Sequence, residues 1–194
     1  GKRCEFNISS RFLTGIHAWK RWIGPCLSAV FLFLCLPLTV SAADDGWSAG
    51  VAVVDITPDY PVRLGGFGFR RTESEGIRLR IEAQALALKF GSGPAAVVLT
   101  VDNLGVSDAL TTEVARRLKQ QAGLVPHRLA VTFTHTHTAP MVSGVAPTIF
   151  GMPIPPEHQA HIDQYTRELT DKLEQVSLAA LKDLKPAQLA WGVG

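Results

Sequence analysis

Along residues 47–190 the apolar spacing switches between every second position and every third or fourth, and this alternation constrains the fold more than any other feature. Trp47 to Ile56 alternates around Val51, Val53 and Ile56 and stops at Thr57-Pro58, which predicts a strand. A long loop over 57–76 carries Leu64-Gly65-Gly66-Phe67-Gly68-Phe69-Arg70-Arg71. Residues 77–90 alternate again, with Leu86, Leu88 and Phe90 on the second phase, so the end of this strand is expected to be covered on both faces. Gly91-Ser-Gly-Pro94 reads as a hairpin turn, and Ala95–Thr100 is the nearly continuous apolar run of a central strand.

The period then lengthens. Leu110, Val114, Leu118 and Ala122 predict a helix, with Ser107 or Asp108 as N-cap and Gly123 as C-cap. Arg128–Thr134 follows as a strand after Pro126. Beyond a Pro-rich stretch the longest helix is expected from about Glu157 to Leu184, with the stripe Ile162, Tyr165, Leu169, Leu173, Val176 and Ala180. Pro186 ends it, and Gln188–Gly194 reads as a last strand. The three later strands alternate with helices, which predicts parallel βαβ units. The expected fold class is α/β: a mixed, largely parallel sheet with flanking helices, incomplete at its C-terminus.

Residues 1–43 differ from the rest in every bulk property. They hold Lys2, Arg3, Arg11, Lys20 and Arg21 against Glu5 alone, and all three cysteines. The uncharged run Cys26–Leu36, then Pro37 and Val40-Ser41-Ala42-Ala43, has the form of a secretory signal peptide, with an uncleaved anchor as the alternative. The expected location is secreted, periplasmic or cell-envelope. The chain opens on Gly1 rather than Met, as a misplaced start or a piece of a larger reading frame would. Residues 44–194 form the second expected unit, with 14 basic and 16 acidic residues and no cysteine. No basic surplus points to nucleic acid. No thiol is available for catalysis, so chemistry falls to histidines, carboxylates, hydroxyls and main chain.

The sharpest candidate is Thr134-His135-Thr136-His137-Thr138-Ala139-Pro140, at the end of a predicted strand. Extended backbone points residues i and i+2 to one side, so both imidazoles should be presented together where an α/β sheet usually keeps its site. Paired imidazoles suit zinc; two solvated histidines are the plain alternative. Ala139 and Pro140 stand where a metallo-β-lactamase-type motif needs Asp and His, and no His-Glu-x-x-His helix occurs. Asp102 and Asn103, ending the preceding strand, should lie beside the pair. There Asp102 either orients a ligand imidazole from behind or caps local main chain. The Gly65–Gly68 loop precedes a strand rather than a helix, against nucleotide binding. His158 and His161, with Tyr165, read as an amphipathic helix edge, His127 as a turn residue, and Arg70, Arg71, Arg116 and Arg117 as solvated faces or salt-bridge partners.

Ala49-Gly-Val-Ala-Val-Val-Asp-Ile-Thr-Pro58, the Gly65-Gly66-Phe67-Gly68 loop, Val98-Leu-Thr-Val-Asp-Asn103, His135-Thr-His-Thr-Ala-Pro140 and Leu189-Ala-Trp-Gly-Val-Gly194 occur in that order. Together they resemble the N-terminal part of the neutral/alkaline (non-lysosomal) ceramidase family. The resemblance implies zinc-dependent hydrolysis of the N-acyl amide of ceramide or a related amide. It implies His135 as a zinc ligand and His137 as the catalytic group that polarises the amide or holds the oxyanion; Asp102 and Asn103 stand behind them. A lipid amide substrate and peripheral membrane contact follow, and the family's other ligands lie downstream of this stretch. The motif departs from the family's usual Gly-Pro-Gly-Gly continuation, reading Ala139-Pro140-Met141-Val142, which is expected to change the loop against the metal. The alternatives are a ceramidase-like envelope binding protein that kept the fold without the activity, or a metal-dependent hydrolase of another substrate.

Overall fold

Five strands and two long helices account for the periodic segments. The computed structural model describes residues 46–190 and Gly192, so the leader expected over residues 1–43 lies outside the described residues. The strands are β1 (Trp47–Asp55), β2 (Glu82–Phe90), β3 (Ala96–Val101), β4 (Leu129–Phe133) and β5 (Lys185–Ala187). The helices are α1 (Asp108–Ala122) and α2 (Pro156–Lys182). The sheet order is β4-β3-β2-β1-β5.

β1 pairs antiparallel with β2 from Trp47↔Phe90 to Asp55↔Glu82, and β2 pairs antiparallel with β3 across the Gly91–Pro94 turn. β3 and β4 run parallel, joined by α1. The mixed α/β sheet with flanking helices is as expected, but its parallel part is this one pair. β5 comes back antiparallel to β1 at the far edge rather than beside β4. The reason lies in α2: its 27 residues run about 40 Å, and its apolar stripe settles on β1 and β2, delivering the chain to the β1 edge.

That seat is made of small residues. Gly50 on β1 and Ala83, Ala85 and Ala87 on β2 form a buried floor. Ile162, Tyr165, Leu169, Leu173, Val176 and Ala180 of α2 lie buried in the same core, the stripe read from the sequence. Each large apolar side chain removed from water contributes roughly 1.5–3 kcal/mol, so this helix–sheet contact is a main source of stability. Val97, Leu99 and Val101 of β3 continue the floor toward α1, whose Leu110, Val114 and Leu118 are buried, while Ala122 is exposed. Ser107 is the N-cap, its Oγ accepting from Leu110 N at 3.3 Å. Gly123, at φ 67°, closes the helix by donating to Lys119 O.

Several expected boundaries move. The last strand is Lys185–Ala187, not Gln188–Gly194; Gln188–Ala190 is irregular, and Trp191, Val193 and Gly194 lie outside the described residues. Pro186 lies inside β5, where an edge strand tolerates its missing N–H. β2 begins at Glu82 rather than Ile77, because β1 has already ended: Thr57 N donates to Asp55 Oδ1 at 2.7 Å and turns the chain out before Pro58. The expected double cover of β2 is also incomplete. On the face away from the helices Leu86 and Leu88 are half-buried and Phe90 is exposed, as are Val51 at 57% and Val53 at 58%. No helix among the described residues is long and apolar enough to cross a membrane.

Two predictions test this frame. A Cβ on Gly50 would lie 2.1 Å from Ala180 O, so Gly50→Ala is expected to cost about 1–3 kcal/mol in a urea melt; an unchanged midpoint would show that α2 does not rest there. Asp55, bonded by Thr57 N–H and by Arg80 at 2.7 Å, has its carboxyl lowered to about 2, first by the Thr57 amide. A carboxyl lowered by folding stabilises the native state above its unfolded value, and the gain vanishes as pH falls from about 4 to about 2. Thermal melts of Asp55→Asn should therefore show a Tm deficit at pH 7 that closes as pH drops through that window.

Candidate functional site

Because β1, β3 and β4 share one direction, their C-terminal ends open at the same edge of the sheet. Three segments leave there: 56–81 after β1, Asp102–Gly105 after β3 and Thr134–Pro140 after β4. The first folds across the third. Leu64 bridges Pro140, Gly65 N donates to Ala139 O at 3.0 Å, and Met141 N donates to Arg63 O at 2.7 Å.

His135 and His137 come together with ring centroids 5.1 Å apart and planes at 76°. Strand alternation is not what joins them. β4 ends at Phe133, and His135 adopts φ 57°, a left-handed conformation uncommon for a residue with a Cβ. Its ring is held from behind: Nδ1–H donates to Leu104 O at 2.8 Å. A carbonyl only accepts, so Nδ1 carries the hydrogen and the neutral ring keeps its lone pair on Nε2. This is the arrangement by which a second nitrogen fixes the tautomer of a metal-binding imidazole.

His137 is held by different groups. Arg70 Nη1 donates to its carbonyl at 2.6 Å, and Phe67 meets its ring edge-on at 5.0 Å. Gly66 lies under it at φ 96°, and a Cβ there would come within 2.5 Å of His137 Cγ. Gly66 thus has two reasons to be glycine, a left-handed backbone and the close approach of the imidazole. The Gly65–Gly68 loop is a wall for His137.

Asp102 and Asn103 are beside this edge in different roles. Asp102 Oδ2 accepts from Glu82 N at 3.2 Å, a main-chain cap of the kind that was one of its two expected roles, and His135 Nδ1 is bonded to Leu104 O. Asn103, 1% exposed, braces the site: its Nδ2 donates to Pro140 O at 3.0 Å and its Oδ1 accepts from Gly105 N at 3.2 Å. Ala139, Met141 and Val142 are buried in the core, so the departure in this motif alters packing beneath the loop rather than its exposed surface.

The remaining candidates divide. His161 Nδ1 lies 2.8 Å from Glu73 Oε1, and His158 Nδ1 lies 3.4 Å from Arg63 Nη1, so this helix edge fastens the 56–81 segment. Arg116 and Arg117 pair with Glu113, and Arg117 also with Asp171 and Glu174, as expected of surface partners. Arg70 is half-buried and donates to His137 O, whereas Arg71 is exposed, as expected, and also donates to Phe150 O. Sequence reasoning missed Leu104 and Arg63; the first acts through a carbonyl, which leaves no trace in residue identity.

A groove of about 930 Å³ lies alongside, with Thr134, Thr136, Thr138, Tyr60, Ile77 and Leu79 in its lining. Neither histidine lines it, so the odd-numbered imidazoles and the even-numbered threonines serve different surfaces of one segment.

As a metal centre this constellation fits in donor type and tautomer. Among the described residues no group of three His, Cys, Asp or Glu is assembled, whereas zinc takes three or four protein ligands. His135 and His137 together offer two imidazoles, fewer than such a set needs. The brace is testable by itself: Asn103→Ala leaves Gly105 N and Pro140 O unpaired and is expected to cost about 1–3 kcal/mol, measured by urea denaturation.

No protein-family model and no curated protein sequence matches the chain. Among solved structures it is similar to neutral ceramidase from Pseudomonas aeruginosa, with a TM-score of 0.61 and 22% identity over 74% of this chain and 22% of that one. A ceramidase complexed with C2 gives a TM-score of 0.59 and 21% identity, covering 74% of this chain and 22% of that one. The chain therefore spans less than a quarter of the length of the ceramidases it matches, and over that span it has their fold.

Proposed function

We propose that this chain is the N-terminal portion of the catalytic domain of a zinc-dependent amidohydrolase of ceramidase type, acting on the N-acyl amide of ceramide or a related lipid amide. The observation that carries the reading is the His135–His137 pair at the sheet edge, with His135 Nδ1 tied to Leu104 O. The fold shared with the two ceramidase structures supports it.

In this reading His135 offers Nε2 to zinc, and further ligands come from the rest of the polypeptide. A zinc ion held there would supply a bound water acidified to a pKa of about 7 and would polarise the substrate carbonyl. His137 donates a hydrogen bond to the carbonyl oxygen as negative charge develops on it. A preorganised donor of this kind is worth about 3 kcal/mol, or on the order of 10²–10³ in kcat. Asn103 and Gly66 keep the loop in register for that contact. Phe69, 76% exposed and stacked on Phe67 beside His137, supports peripheral contact with a lipid surface. The leader over residues 1–43 would deliver the protein to the envelope or the exterior.

Metal analysis of the natural-length polypeptide, with turnover of short- and long-chain ceramides, tests the reading. About one zinc per chain and amide hydrolysis are expected. His135→Ala should lose zinc and activity together, and His137→Ala should keep zinc and lose about 10²–10³ in kcat. A folded, zinc-free and inactive protein would overturn it, leaving the binding-protein alternative. Zinc with turnover of a different substrate would favour another metal-dependent hydrolase.

A further inference from the structure

Arg63 is the most deeply buried cation among the described residues, at 2% exposure. Its Nη2 donates to Arg70 O at 2.8 Å, its Nη1 to Arg71 O at 2.6 Å, and its plane lies 4.0 Å over Phe150. Its Nε has no hydrogen-bond partner. Burial lowers its pKa below the usual guanidinium value, and Arg71 nearby adds to that. Placing a cation on neutral carbonyls is a poor way to gain stability, since a packed apolar side chain of similar volume does as well or better. The planar fork does something an apolar side chain cannot: it grips two successive carbonyls and fixes the course of the loop at residues 70 and 71.

What that loop carries at residue 70 is a second arginine. The Arg70 guanidinium lies 4.8 Å over Phe67 and donates to His137 O. Phe67 in turn packs against the His137 ring. Each imidazole therefore has its own support, Leu104 O for His135 and the arginine pair for His137.

We infer that Arg63 and Arg70 act in series as positioning residues for His137, independently of the support that holds His135. The kinetic consequence rests on the amidohydrolase reading; the geometric one does not. Neither arginine touches the reacting atoms in this scheme. Their work is to hold the donor within the fraction of an ångström on which its effect depends.

The test uses Arg70→Lys and Arg63→Lys, which keep the charge and lose the fork. In the 194-residue chain the His ring carbon–proton NMR signals are compared, and in the natural-length polypeptide zinc content, kcat and KM are measured. Expected are a displaced His137 signal with the Nδ1–H tautomer of His135 retained, unchanged zinc content, and kcat lowered about 10- to 100-fold at constant KM. A purely structural role would lower Tm and leave that selective pattern absent. Arg70 is half-buried at the loop rim, so Arg70→Lys keeps the result readable should Arg63→Lys unfold. The inference is overturned if His137 does not move, or if His135 loses its Nδ1–H tautomer with it. Absence of turnover in the unmodified natural-length protein would sink the ceramidase reading, while the NMR comparison would still decide the positioning.

Discussion

The contact on which everything else depends is the close approach of α2 to the sheet. Gly50 and the alanines at 83, 85 and 87 remove side-chain bulk where a long helix must lie flat. Six stripe residues of α2 then join the floor in one buried cluster. Close packing makes this seat specific, because one extra methyl group at Gly50 meets helix backbone rather than a movable side chain. Two consequences follow. The C-terminal end of α2 arrives beside β1, where Asp183 Oδ2 accepts from Val51 N and β5 adds an edge strand. The N-terminal part of α2 arrives at the other end, where His158 and His161 reach the segment that covers the candidate site.

The site therefore inherits its order from both layers. From the sheet come the ends of β3 and β4, which bring Leu104 and His135 within hydrogen-bonding distance. From the helix side comes a loop pinned at Glu73 and Arg63, presenting Gly66, Phe67 and Arg70 to His137. Two histidines separated by one residue thus have separate foundations. In the proposed reading, that separation would let one imidazole hold a metal while the other meets a developing charge.

Much of this was legible along the chain and some of it was not. The α2 stripe was read residue for residue, because helical periodicity is a local property that packing then exploits. The caps of α1 were legible for the same reason: Ser107 and Gly123 serve groups within one turn. The His pair was legible as a motif, yet the route by which the rings meet was misjudged, since His135 leaves extended geometry at φ 57°. The largely parallel sheet failed at β5, because strand order depends on where α2 settles rather than on alternation of elements. Arg70 looked like a surface cation and Arg63 drew no notice, as nothing near them in sequence marks a carbonyl waiting across a loop.

The amino-acid sequence by itself determined the periods, the caps, the breakers and the presence of two imidazoles at a strand end, all set by interactions spanning a few residues. Only the tertiary structure decided which way β5 runs, which carbonyl fixes the His135 tautomer, which of its two expected roles Asp102 takes, and that two arginines stand behind His137. These outcomes depend on main-chain groups brought together from distant positions, and main-chain groups are the same in every residue.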